Sequence, residues 1–226
     1  MRIAALVAVP LLVAGCSHDL GTDSGQPQTS TPKSSSITVS PTSSKPVAAA
    51  TAPAAGAPIA AVRAWIEAGR PADPKRYHSV SRADVTTELG DDIAFTAQAG
   101  KSSCMTDSKR TPGTLTCLVQ LTNPAPAPAT AYGDWKGGWV DFDGMNLQVG
   151  ASRGDPGPFI NGNGPELANG DSLSFGDYRC RADQAGLFCI NYAHQSAVGL
   201  SAGGAEPFGC LRSVPPPDGV GTAFSC

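Results

Sequence analysis

Cysteine placement constrains this chain more than any other feature. Of its seven cysteines, Cys16 stands alone near the amino terminus. Cys104, Cys117, Cys180, Cys189, Cys210 and Cys226 all fall in the C-terminal part. An even set at short spacing reads as three disulfides, the framework of a domain that folds in an oxidising compartment. The competing use of such residues is zinc, which needs CxxC or His-rich spacing. No CxxC occurs, and the only histidines beyond position 56 are His78 and His194. The expectation is therefore no metal and no cofactor. Of the many formal connectivities, pairing of neighbours is preferred: 104–117, 180–189 and 210–226. Cys104 falls opposite Cys117 if a turn is centred on Ser108–Gly113, where Thr111-Pro112-Gly113 supplies the bend. Cys180 falls opposite Cys189 across the turn Asp183-Gln184-Ala185-Gly186. Phe224-Ser225-Cys226 ends the chain and leaves Cys210 as its partner.

Cys16 has a different context. Arg2 is a short positive start, and Ile3–Ala14 is an apolar run of secretory-signal length. As a helix that run rises roughly 18 Å, too short for about 30 Å of hydrocarbon. Val13-Ala14-Gly15-Cys16 resembles the bacterial lipobox. The resemblance implies a thioether diacylglyceryl group on Cys16, cleavage after Gly15, and often acylation (palmitate) of the new amino terminus. Two or three acyl chains hold a protein stably, since each buried CH₂ contributes about 0.8 kcal/mol. The expected location is the outer, extracytoplasmic face of a cell membrane.

Three regions follow: a lipoprotein signal peptide at 1–15, a lipidated linker at 16–56, and a disulfide-bonded domain at 57–226. The linker is Ser, Thr, Pro, Ala and Gly with almost no large apolar side chain, so it cannot offset its ordering entropy. Its root-mean-square reach is roughly 35 Å. The formal charge is −3, and removal of Arg2 makes it more negative. That balance, with no Lys/Arg run, gives no support to nucleic-acid binding or to a polybasic membrane contact.

Within the domain, Pro58 followed by Ile59, Val62, Ile66 and Gly69 predicts one helix over 58–68, with Trp65 beside its apolar stripe. Residues 75–92 read as turns, with a helical piece around Ser81–Val85. Beyond that, β signals take over. Ile93–Ala97 and Leu115–Leu121 read as strands, the second with Leu115, Cys117, Val119 and Leu121 on one face. Trp139–Phe142, Asp143-Gly144 and Met145–Val149 form the clearest hairpin, for which a two-residue type I′ turn pairs Phe142 with Met145 and Val140 with Leu147. Trp135 and Trp139 then lie on the opposite, polar face, either covered or displayed as an aromatic platform for a glycan or lipid. Arg153–Asp171 is a long loop; its Asp155, Asn161, Asn163, Glu166 and Asp171 do not keep calcium-loop spacing. Leu173–Phe175, Tyr178–Arg181 and Leu187–Tyr192 resume strand character. The two Cys hairpins resemble each other, Phe95…Cys104…Cys117 against Phe175…Cys180…Cys189. The predicted fold is mostly β with one short N-terminal helix: a small antiparallel β-hairpin domain stapled by three disulfides.

With lipobox, linker and Cys hairpins in place, the chain resembles mycobacterial secreted lipoproteins of the LppI type. The segments that carry the resemblance are Ile66-Glu67-Ala68-Gly69, Leu89–Phe95, Trp135–Phe142 and Gly176–Tyr192. Phe95–Cys104 is also similar to a broader actinobacterial pattern of Phe, Ser-Pro-Ser-Gly-Asn and Cys, from which Ala97–Lys101 departs in all but the Gly. The resemblance implies an envelope lipoprotein and assigns no activity.

One motif speaks for chemistry. Gly199-Leu200-Ser201-Ala202-Gly203 matches G-x-S-x-G, and His194 lies just upstream. A nucleophile elbow needs a strand, a strained turn and a following helix. Gly203-Gly204 starts no good helix, and no His lies downstream. The expected function is a non-catalytic binding or scaffolding domain, held to the membrane through lipidated Cys16, whose partner is an envelope glycan, lipid or protein. The alternatives are a glycan or lipid platform at Trp135 and Trp139, and a serine hydrolase using Ser201 and His194.

Overall fold

The computed structural model describes residues 51–226. The signal peptide, Cys16 and nearly all of the linker lie outside the described residues. No described helix is long and apolar enough to cross a membrane.

Pro58 stands at the N-terminus of α1 (Ile59–Glu67), which buries Val62, Trp65 and Ile66. The helix stops where Gly69 must approach the sheet below: a Cβ there would lie 2.9 Å from Ser172 Cβ. Its last carbonyls are satisfied by cations, the favourable charge at a helix C-terminus. Arg181 donates to the Trp65 oxygen and Arg179 to that of Glu67. Next come β1 (Arg70–Pro71), a 3-10 turn at Pro74–Tyr77, and a hairpin of β2 (Ser79–Arg82) and β3 (Val85–Glu88). The helical piece expected around Ser81–Val85 is this hairpin. Its two turn residues, Ala83 and Asp84, both take positive φ (48° and 67°) without a glycine to announce them.

Two five-strand meanders follow. The first is β4 (Ala94–Ala97), β5 (Ser102–Asp107), β6 (Thr111–Val119), β7 (Asp134–Phe142) and β8 (Asn146–Arg153). The second is β9 (Asp171–Phe175), β10 (Tyr178–Asp183), β11 (Gly186–Asn191), β12 (Ser196–Ser201) and β13 (Gly204–Phe208). The last strands, β14 (Arg212–Val214) and β15 (Val220–Ser225), return to the first meander. The result is a seven-stranded sheet in the order β14-β15-β8-β7-β6-β5-β4 and a six-stranded sheet in the order β1-β9-β10-β11-β12-β13. All pairings are antiparallel except that of β1 with β9.

The sheets share one core. Phe95, Cys104, Leu115, Cys117, Val140, Phe142 and Leu147 come from one, and Leu173, Tyr178, Cys180, Leu187, Cys189, Val198 and Leu200 from the other. This is a β-sandwich, with α1 on the outer face of the six-stranded sheet against Phe188, Ile190, Ala197 and Phe208. Ala52 packs on the same cluster, ahead of Ala57.

The cysteines pair with their chain neighbours: Cys104–Cys117, Cys180–Cys189 and Cys210–Cys226. The first two bridges join residues directly opposite on adjacent strands, with Cα atoms 4.1 and 4.0 Å apart. Each occupies the same place in its meander. One row reads Phe95, Cys104, Cys117, Val140, Val149 across the strands, and the other Leu173, Cys180, Cys189, Val198, Pro207. The structural counterpart of Phe95 is thus Leu173, where the sequence pattern points to Phe175.

The β7–β8 hairpin corrects a second expectation. Phe142 pairs with Leu147 and Val140 with Val149, two positions further along than an Asp-Gly two-residue turn allows. The Asp143 carboxylate causes the shift by accepting the backbone N–H groups of Met145 and Asn146 at 2.8 and 2.6 Å. Met145 consequently leaves the apolar face and is exposed.

Candidate functional site

Five turns or turn-flanking segments converge at one end of the sandwich and enclose a cavity of about 320 Å³. They are the entry to β4, the β5–β6 turn, the β7–β8 turn, the β9–β10 turn and the β11–β12 turn. Both sheets contribute, so the cavity is the mouth between the two layers. Loops held at the end of a rigid sandwich are a usual place for recognition.

Two of its carboxylates build the walls. Asp92 accepts from Thr106 Oγ1 at 2.9 Å and from Ser108 N–H at 2.8 Å, pinning the end of β5. Asp143 organises the β7–β8 turn as described. Asn191 is buried, and its Oδ1 accepts the His194 N–H at 3.1 Å, which fixes the β11–β12 turn. Gly144 sits so close beneath that turn that a Cβ would lie 2.6 Å from Asn191 Cγ and 2.7 Å from His194 Cδ2. Asp91 and Asp177 are exposed on the rim, and among the described residues their carboxylates make no hydrogen bond or ion pair.

The floor is aromatic. Phe175 stacks on Tyr178 with centroids 5.6 Å apart, and Phe142 meets Tyr178 edge-on at 5.8 Å. The Tyr178 hydroxyl lies 2.8 Å from both the Gly113 and the Phe142 carbonyl oxygens, which share its single proton. Burial pushes its pKa up to about 12; Asn191 opposes the rise and the carboxylates of Asp143 and Asp177 add to it. Four Asp and one His line the mouth, with no Lys or Arg. Such a surface offers the partly exposed Phe175 ring and hydrogen-bond acceptors, and it repels anions.

The residues singled out from sequence lie elsewhere or apart. Ser201 ends β12 and His194 lies in the turn before its start, so the length of the six-residue strand, about 16 Å, stands between them. Gly199–Gly203 runs from β12 into the hairpin turn to β13, where an elbow requires a helix. Ser201 Oγ accepts the Gly203 N–H at 3.2 Å and faces a different cavity, beside Thr51–Ala55. The proposed hydrolase pair is therefore not assembled. His78 Nδ1 bonds the Asp92 carbonyl at 3.0 Å.

The tryptophan platform is not assembled either. Trp139 is buried: Arg153 lies over its ring at 4.5 Å, Phe159 meets it at 5.7 Å, and its Nε1–H donates to Asp141 at 2.9 Å. Trp135 is half-buried over Gly150 and Gly221, with its Nε1–H donating to Ala125 O at 2.9 Å. A register shift between Lys136 and Val140 separates the two rings. Of the oxygen-bearing loop residues, Asn163 accepts from Ser103, Glu166 from Thr96 and Ala99, and Asp171 pairs with Arg70. Among the described residues no cluster of metal-ligating side chains forms.

Sequence reasoning missed the mouth. The available signal was the recurrence of acids at turns, Asp91-Asp92, Asp143-Gly144 and Gly176-Asp177, but nothing local shows that these turns share one end of the fold. No protein-family model, curated protein or solved structure matches the chain.

Proposed function

We propose that this protein is a lipid-anchored envelope lipoprotein of the LppI type. Its disulfide-bonded sandwich stands on the extracytoplasmic side and binds or scaffolds an envelope component without catalysis. The observation that carries the reading is the cysteine account. All six cysteines of the sandwich are bridged, which leaves Cys16, directly after Val13-Ala14-Gly15, as the one cysteine outside the disulfides. A set of bridges suited to an oxidising compartment and a lipobox-like Cys are what an exported, acylated chain requires.

The mouth is the surface this domain offers to its partner. Aromatic rings beneath acceptor-rich walls suit a hydroxyl-rich, uncharged or cationic molecule, which points to an envelope glycan rather than a phosphate-bearing one.

Mass spectrometry of the membrane fraction tests the anchor. The peptide beginning at Cys16 is expected to carry diacylglyceryl and acyl mass, and Cys16→Ala to release the protein from the membrane. Unchanged membrane retention of that variant would sink the anchor. Titration of the protein with defined envelope glycan fragments tests the mouth. Binding is expected to weaken in Asp91→Asn/Asp177→Asn, and equal affinity in that variant would remove the mouth from the proposal.

A further inference from the structure

The three disulfides differ in reach. Cys104, Cys117, Cys180 and Cys189 are at most 1% exposed, whereas Cys210 and Cys226 are both exposed. They also differ in what they join. Cys104–Cys117 lies within the seven-stranded sheet and Cys180–Cys189 within the six-stranded one. Cys210 lies in the link from β13, at the edge of the six-stranded sheet, to β14 of the seven-stranded sheet, and Cys226 directly follows β15, the partner of β14. Cys210–Cys226 therefore ties the link between the two sheets to the end of β15.

That tie rests against two walls of the mouth. Cys210 Sγ lies 3.7 Å from His194 O in the β11–β12 turn, and Cys226 Sγ lies 3.8 Å from Gly144 O in the β7–β8 turn. The Cys226 N–H also donates to Met145 O at 2.9 Å. Arg212 Nη1 donates to Gly209 O and Leu211 O, on either side of Cys210, so a guanidinium lies against the backbone that carries Cys210. A nearby cation favours a departing thiolate.

We infer that Cys210–Cys226 is a thiol-exchange site: a dithiol reductant opens it in the folded protein, and opening it unclamps the two turns that wall the mouth. A reductant thiolate attacks one Sγ, the S–S bond breaks, and the other cysteine leaves as a thiolate that takes up a proton. The reductant's second thiol then displaces the first cysteine, giving the reductant's own disulfide and two protein thiols. Two electrons pass from the dithiol to the protein. Exchange requires access to a sulfur, which the buried bridges deny without unfolding and the exposed one grants. The sandwich survives the reaction because β15 keeps its pairing with β8 from Val220 to Ser225. This chemistry is independent of what the mouth binds.

Graded dithiothreitol on the full chain, followed by alkylation and peptide mass spectrometry, tests the inference. The 210–226 cross-linked peptide is expected to disappear first, with both cysteines alkylated while 104–117 and 180–189 remain bridged. Cys16 is read on its own peptide. Over the same range, hydrogen exchange is expected to rise in peptides covering 143–146 and 191–196. Opening of either buried bridge first, opening of all three together, or no opening short of unfolding would overturn the exchange site. Unchanged exchange in the two turns after opening would overturn the clamp. Cys210→Ser/Cys226→Ser is expected to show the same loosened turns; should it not fold, the wild-type series decides alone.

Discussion

Replacing Tyr178 with Phe removes one oxygen from the point where the two sheets meet at the mouth. The ring contacts with Phe142 and Phe175 are retained, so packing changes little. The carbonyls of Gly113 and Phe142 lose the one phenolic proton they share. At neutral pH the expected cost is about 1–3 kcal/mol, that of leaving a buried acceptor unsatisfied. The pH dependence is the sharper test. The phenol has an ordinary pKa of 10.0 and is raised to about 12 in the fold. Its contribution is fully present below the unfolded value and is lost as pH rises through the folded one, because the unfolded chain ionises first. Two units amount to about 3 kcal/mol, lost between roughly pH 10 and pH 12. Tyr77 and Tyr192, also raised by burial, add to the alkaline loss in both proteins. Subtraction of the variant from the wild type therefore isolates Tyr178. Urea denaturation at a series of pH values measures it, with phenolate absorbance as the independent record of ionisation. Wild type is expected to be the more stable below pH 10, and the two curves to converge above it. Equal stability at neutral pH together with parallel alkaline slopes would refute the reasoning.

Three further outcomes are expected. Gly144→Ala forces a Cβ onto the side chains of Asn191 and His194 at a φ of +91°, and should lower the melting temperature by the equivalent of about 1–3 kcal/mol. Trp65→Ala should cost about 3–5 kcal/mol in denaturant unfolding, because the ring fills the space between α1 and Phe188 (5.0 Å) and carries Arg181 at 3.9 Å over its face. Cys180→Ala/Cys189→Ala removes a bridge between residues nine apart and should cost about 2.5 kcal/mol in the chain-entropy model, read as a shift in urea midpoint.

What was legible in the chain follows from which forces act locally. The α1 stripe of Ile59, Val62 and Ile66 is a local pattern, and the helix stands where it is read. The alternation of Leu115, Cys117 and Val119 also marks a strand, but β6 starts at Thr111, inside the Thr111-Pro112-Gly113 expected to be the bend, and stops before Leu121. Local turn chemistry, by contrast, overrode pattern at Asp143, whose side chain moved the hairpin register by two. The β2–β3 turn was hidden because Ala83 and Asp84 adopt positive φ with no Gly, so nothing marks the reversal. Strands β12 to β14 are poor in large apolar residues, and Pro207 falls inside β13, which edge position alone permits. Their assignment depends on neighbours that arrive from elsewhere in the chain. The mouth is the extreme case, since its walls come from residues between 91 and 194. Trp139 shows the same limit in reverse: alternation gives its face, but only the loop carrying Phe159 decides whether that face is open.

The placement of the bridges has a consequence for how the molecule is made. The cysteines of the sandwich pair consecutively, first with second, third with fourth and fifth with sixth. A polypeptide appearing N-terminus first therefore presents each native pair together, before the following pair has emerged. With Cys16 acylated as proposed, an oxidant that simply joins the remaining thiols in their order of appearance yields the correct set, with no reshuffling by an isomerase. Errors are expected only when the chain is reduced and reoxidised whole, with all six thiols competing at once.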